Sequence, residues 1–238
     1  MRKNLVSGGE AEQKGRRVII ACRIMEPELT HLLSEKSKAR DGTDIVYLEQ
    51  DLHRTPDKLR VQLQEKIDQA ARTSASSIVL GYGLCAKGIT GITARQPELI
   101  IPRCHDCIAL FLGSPKRYLE IFRKRPGTYY LTPGWIAAKK DPLGLIEEYV
   151  PRYGRKTARW VVEEELKHYS HIALIDAGVA GVAQLRMRAM ENATVLKKEY
   201  EEIPGSLAYF RELLRGPYRA EKFIRLRPGE QFTQEMVF

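Results

Sequence analysis

The chain has 238 residues, 43% of them hydrophobic, which is enough to bury the core of one sizeable α/β domain. No stretch approaches the ~20 consecutive apolar residues that a membrane span needs, and the polar opening "MRKNLVSGGEAEQKGRR" lacks the apolar core of a signal peptide, so residues 1–15 are expected to be a disordered leader and the location cytoplasmic. The net charge of +9 is scattered over "KGRR", "KRYLEIFRKR" and "PRYGRKTAR" with no nucleic-acid motif beside it, which argues against a nucleic-acid partner and leaves a small molecule, an anionic one included.

"RRVIIACRI" (16–24) reads as a buried strand ending at Cys22. "EPELTHLLSEKSKAR" (26–40) follows as a helix with Pro27 in its first turn, where a missing N–H costs least. "TDIVYLEQ" (43–50) is a second strand. "TPDKLRVQLQEKIDQAAR" (55–72) opens with a threonine cap and a proline, then sets Leu59, Leu63 and Ile67 at helical spacing. "SSIVLGYGLC" (76–85) is a third buried strand that runs into a glycine-rich turn, and "ELIIP" (98–102) is a fourth that ends at "RCHDC".

"IALFLGSPKRYLEIFRKRP" (108–126) predicts two helices, the second started by Ser114-Pro115. "GTYYLTPGW" (127–135) is a short strand and turn, and "DPLGLIEEYVPRYG" and "TARWVVEEELKHYS" are helices. "HIALIDAGV" (171–179) is another buried strand, followed by helices in "AQLRMRAMENATVL" and "GSLAYFRELLRG" and a closing strand in "KFIRLRPGEQF". Strands alternate with helices and are continuous apolar runs rather than alternating ones. The expected fold is therefore α/β, a mostly parallel sheet flanked by helices in a Rossmann-like layered architecture, as one domain over 16–238 with a helical insertion near 136–170.

Ligands of open parallel sheets bind outside the carboxyl ends of the strands. Those ends carry Cys22, then Tyr82-Gly83-Leu84-Cys85, then Arg103-Cys104-His105-Asp106-Cys107, then Thr132 to Trp135, then Asp176. All four cysteines fall there. In a reducing compartment grouped cysteines are more often metal ligands or catalytic thiols than bridges, although a buried cysteine also serves as a small hydrophobe. Cys22, Cys85, His105 and Cys107 have the donor types of a zinc site, and thiolates equally suit an iron–sulfur cluster.

Side chains alternate along an extended segment, so His105 and Cys107 are expected to face the site while Cys104 and Asp106 face away. Asp106 then orients His105 or acts as acid or base, and Arg103 lowers a thiol pKa or holds an anionic group. Gly81 and Gly83, flanking Tyr82, let the backbone approach a ligand. Trp135 and Asp176 complete the list of residues placed to touch a ligand. "GYGLCA" fits the loose dinucleotide fingerprint but follows the third strand and lacks the long helix that fingerprint requires. His31, His53, His168 and His171 have no partner pattern and read as structural or surface residues.

"ACRIMEPEL", "GYGLCAKGI", "IPRCHDCIALFLGS", "PGTYYLTPGW" and "IDAG", in this order, resemble the family named domain of unknown function 1638, over residues 17–230. The resemblance implies anaerobic metabolism near corrinoid-dependent methyltransferases. The His-x-Cys with distant cysteines is also similar to the zinc motif of cobalamin-linked thiol methyltransferases, in which zinc makes a thiol nucleophilic. The expectation is a metal-dependent transferase, with zinc or iron held by Cys22, Cys85, His105 and Cys107, moving a methyl or one-carbon group to or from a thiol or corrinoid, with a corrinoid protein as partner. The alternatives are a three-cysteine iron–sulfur enzyme acting on a small anionic substrate and a non-catalytic carrier of a metal or corrinoid.

Overall fold

Residues 16–34, 42–85, 87–179 and 181–238 are described by a computed structural model of the chain. The expected leader, and residues 35–40 of the expected first helix, lie outside them. Among the described residues the chain runs β1 (Arg16–Cys22), α1 (Glu26–Ser34), β2 (Thr43–Leu48), α2 (Pro56–Ala71), β3 (Ala75–Gly81), β4 (Leu99–Pro102), α3 (Ile108–Phe111) and α4 (Pro115–Lys124). It continues through β5 (Thr128–Leu131), α5 (Pro133–Ala137), α6 (Pro142–Glu165), β6 (His171–Asp176), α7 (Val182–Val195), β7 (Glu199–Pro204), α8 (Ala208–Arg215) and β8 (Phe223–Leu226). Ser114 caps α4 by accepting from the Arg117 N–H at 3.1 Å, with Pro115 in the first turn.

Parallel pairing dominates, but the strands form two sheets. One has five strands in the order β2-β1-β3-β4-β8, parallel except for the β4–β8 pair; the other has three parallel strands, β5-β6-β7. The inner strands of the large sheet are covered on both faces, which is why Ile19, Ile20, Ile78, Val79 and Leu80 are consecutive apolar residues and all fully buried. Each such side chain contributes about 1.5–3 kcal/mol by leaving water. The main core runs into the small sheet through Ala173, Ile175 and Ile203.

Three features differ from the pattern in the sequence or refine it. β7, "EYEEIP", escapes notice because it is a polar edge strand with one buried residue, Ile203. The helical stretch near 136–170 is the crossover from β5 to β6, made by α5 and α6. α6 spans the two expected helices and is broken between them at Gly154, whose φ of 74° is the left-handed region that suits glycine.

The strand order creates the feature that matters for function. The chain leaves β1 to one side to make β2, then crosses to the other side to make β3. The reversal makes the carboxyl ends of β1 and β3 a topological switch point, the place at which doubly wound sheets bind their ligands.

Candidate functional site

Four adjacent strands each deliver a reactive side chain to this switch point. β1 ends at Cys22, and β2 runs into a 3₁₀ turn, Gln50–Arg54, that carries His53. β3 continues into Tyr82 and Cys85, and the segment after β4 reaches Cys107 at the start of α3. The His53 and Tyr82 rings stack with centroids 6.0 Å apart at 25°.

The loops after β3 and β4 are clipped together by their backbones. Leu84 N–H donates to Cys104 O, and Cys85 N–H to His105 O, each at 2.9 Å. The clip needs a glycine at 83, because a Cβ there would lie 2.8–2.9 Å from the Asp106 backbone. Cys85 itself sits at φ 46°, a left-handed conformation uncommon for a residue with a side chain. The clip brings Cys85 beside Cys107.

These neighbours set each other's ionisation. A hydrogen bond from Cys107 holds Cys85 well below the ordinary thiol range against the opposing effect of burial, with help from the charge and hydrogen bond of His53. Cys107 is pushed up in return, first by the proton it shares with Cys85 and then by burial. Burial disfavours the His53 imidazolium, yet the Cys22 and Cys85 sulfurs outweigh it and raise its pKa to about 10. Cys85 is therefore the member of the pair that gives up its proton more readily, Cys107 the member that keeps it, and His53 the imidazole that gains charge beside them.

Two polar atoms at the site are shielded from water and have no partner in full hydrogen-bond geometry, His53 Nε2 and the Tyr82 hydroxyl. Tyr82 is fully buried, and its phenol is held protonated first by burial and then by the sulfurs around it, Cys22 sharing a hydrogen bond with it. A buried donor without a partner costs about 1–3 kcal/mol. Such a donor beside Cys85 is a group kept ready for something that enters.

The expected metal centre is not formed. Among the described residues no group of three or more His, Cys, Asp or Glu side chains is arranged to hold a metal ion, and all four cysteines are free and buried. The zinc and iron–sulfur readings are overturned by this geometry. The metal-dependent transferase, the methyl or one-carbon chemistry with a thiol or corrinoid, and the metal- or corrinoid-carrying role were built on that centre and fall with it. The physical reason lies at His105. The chain turns after Pro102 instead of continuing as a strand (Cys104 N–H donates to Pro102 O at 3.1 Å), so strict alternation does not apply. His105 emerges exposed and packs edge-on to Phe238 at 4.6 Å.

The remaining candidates have structural partners. Asp106 Oδ1 accepts from the Ile108 N–H at 2.8 Å and so starts α3; its carboxyl is shifted up by burial, against a hydrogen bond from Tyr118. Arg103 donates to Ala220 O and Met236 O, tying down the C-terminal segment. Gly81 lets β1 and β3 close, since a Cβ there would meet Ala21 Cβ at 2.7 Å. Trp135 Nε1 donates to Lys140 O at 2.7 Å, and Asp176 Oδ1 accepts from Gly178 N–H at 2.8 Å, both at the edge of the small sheet. A cleft of about 610 Å³ lies between the two sheet edges, lined by Arg23, Glu26, Thr30, Gly134 and Val179 among others, and no cysteine lines it.

His53 is the residue the sequence reading missed. The rule that located the cysteines, which inspects the carboxyl end of each strand, finds it when applied to β2 as well. A family model described as a protein of unknown function (DUF1638) matches residues 47–214, which include His53, Tyr82, Cys85 and Cys107 but not Cys22. No curated protein and no solved structure matches the chain.

Proposed function

We propose that this chain, which belongs to the DUF1638 family of proteins of unknown function, works by thiol chemistry at the switch point of its large sheet. Cys85 is the nucleophile, Cys107 the thiol that stabilises it, and His53 the cation that balances its charge. Tyr82 presents its hydroxyl to the reacting molecule. The partner is a small electrophile, because Cys85 and Cys107 are only 4% and 5% exposed and a bulky group cannot reach them. The observation that carries this reading is the backbone clip of residues 84 and 85 to 104 and 105, which fixes Cys85 next to Cys107 at the place where this sheet topology binds ligands. Free thiols of this kind belong in a reducing compartment, which favours the cytoplasm. Among the described residues no helix is long and apolar enough to cross a membrane.

The test is brief treatment of the native protein with iodoacetamide, followed by peptide mapping. Cys85 is expected to be alkylated first, with a half-maximal rate at a pH below the ~8.5 of a free thiol. Alkylation that begins at another cysteine, or reaches all four together only on unfolding, contradicts the reading.

A further inference from the structure

We infer that the Cys85–Cys107 pair is a two-electron centre that reduces a small hydroperoxide and closes as an intramolecular disulfide. The inference rests on the proposed reading of Cys85 as the reactive thiolate and adds to it a second role for Cys107 and a class of substrate.

Position singles out this pair from the cysteines available. Cys104 belongs to the same loop as Cys107 but is 1% exposed, and it influences Tyr209, on the α8 side of the loop. Cys22 is fully buried at the end of β1 and faces His53 and Tyr82. Cys107 alone shares a hydrogen bond with Cys85, and the clip between their loops holds the two together. Burial then selects the oxidant. With Cys85 only 4% exposed, a molecule of a few atoms is favoured over a disulfide reagent, which must bring a sulfur with substituents on both sides into line with Sγ. Two shielded groups, the Tyr82 hydroxyl and His53 Nε2, have no partner in full hydrogen-bond geometry and can turn from the neighbouring sulfurs to hold and protonate the oxygens of the entering molecule.

The steps balance. Cys85 Sγ attacks one peroxide oxygen, an S–O bond forms and the O–O bond breaks. The departing hydroxide or alkoxide takes a proton from the His53 imidazolium and leaves as water or an alcohol. Cys85 is now a sulfenic acid. Cys107 Sγ attacks that sulfur, the S–S bond forms, the S–O bond breaks, and the hydroxyl leaves with the Cys107 proton as water. Cys85 and Cys107 have given up two electrons, the His53 imidazolium and the Cys107 thiol have given up two protons, and the peroxide has accepted them, leaving a disulfide and a neutral His53 that regains its proton from solvent.

The experiment treats the full chain with one equivalent of hydrogen peroxide and maps its thiols by mass spectrometry. The wild-type protein is expected to go from four free thiols to two, with a Cys85–Cys107 link that dithiothreitol reverses. Cys107→Ala is expected to stop at a Cys85 sulfenic acid that dimedone traps, and oxidised glutathione is expected to close the disulfide at least about tenfold more slowly than peroxide. A disulfide between any other pair, a wild-type Cys85 sulfenic acid that persists, or equal rates with the two oxidants overturns the inference. Mapping of the wild-type protein decides the pairing even where a variant fails to fold. If iodoacetamide modifies Cys85 first and peroxide links no pair, only this inference fails; if Cys85 is not the first to be alkylated, the proposed function fails as well.

Discussion

The two sheets present different chemistry at their carboxyl edges. At the edge of the three-stranded sheet three of the residues that follow the strands or end them have partners: Thr132 Oγ1 accepts from the Trp135 N–H, Trp135 Nε1 donates to Lys140 O, and Asp176 takes the Gly178 N–H, although the Tyr130 hydroxyl and Asp141 Oδ1 nearby have none. At the edge of the five-stranded sheet two thiols, an imidazole and a phenol meet, with Cys85 the thiol that ionises more readily, and His53 Nε2 and the Tyr82 hydroxyl have no partner in full hydrogen-bond geometry. Satisfied polar groups stabilise a fold, whereas unsatisfied ones cost stability and persist where a ligand completes them. The apolar strands β1 and β3 of one sheet and β6 of the other are alike in character, so the difference between these edges lies in the few residues that follow each strand.

The comparison can be broken most forcefully at the joint between the edges. A Cβ at Gly134, in α5, would lie 1.9 Å from the backbone oxygen of Ile24, just beyond β1. Backbone cannot yield as a flexible side chain does, so Gly134→Ala is expected to cost about 3–4 kcal/mol in urea unfolding. If the protein folds, Cys85 should still be the first thiol alkylated. Loss of that preference at intact stability would show that the two edges are not separate.

Between the edges, α1 carries Glu28, fully buried, with neither carboxylate oxygen partnered. Burial raises its pKa from 4.5 to about 8. The folded protein therefore holds this proton more tightly than the unfolded chain does. The stabilisation is complete below about 4.5 and is lost as pH rises toward about 8. The loss is on the order of 5 kcal/mol at ~1.4 kcal/mol per pKa unit. Thermal melting is expected to fall across that window, and Glu28→Gln to flatten the slope without changing the order of thiol reactivity. A slope unchanged in Glu28→Gln would assign the pH dependence to another group.

A sharper test uses His53→Gln. Removing the imidazolium takes away one of the two groups that hold Cys85 as a thiolate, and the alkylation rate near neutral pH should drop about tenfold. The counterpart at the three-stranded edge is Asp176→Asn, which keeps an acceptor for the Gly178 N–H. It should change stability by less than about 1 kcal/mol and leave thiol reactivity untouched. If both substitutions slow alkylation equally, the contrast between the edges does not hold.

The apolar runs of β1, β3 and β4 made the parallel sheet legible, and the rule of strand ends pointed to Cys22, Tyr82, Cys85 and Cys107 before any geometry was known. Two things were hidden. β7 has one buried side chain, Ile203, so its period is almost silent. The turn after Pro102 is a tertiary effect, set by backbone bonds to residues 84 and 85, and it sends His105 outward where alternation would send it in. The metal centre inferred from donor types alone failed at that turn. The right residue types in the right region do not specify a coordination geometry, because side-chain direction depends on contacts distant in sequence.

The central claim is that native Cys85 is a thiolate held by its neighbours, and a titration of the ultraviolet absorbance of thiolate on the folded protein addresses it directly. The wild-type protein is expected to show one thiolate already present at neutral pH, and Cys85→Ser is expected to lose that signal while Cys104→Ala keeps it. A wild-type protein whose thiols all ionise only at or above ~8.5, the range of free cysteine, would contradict the account.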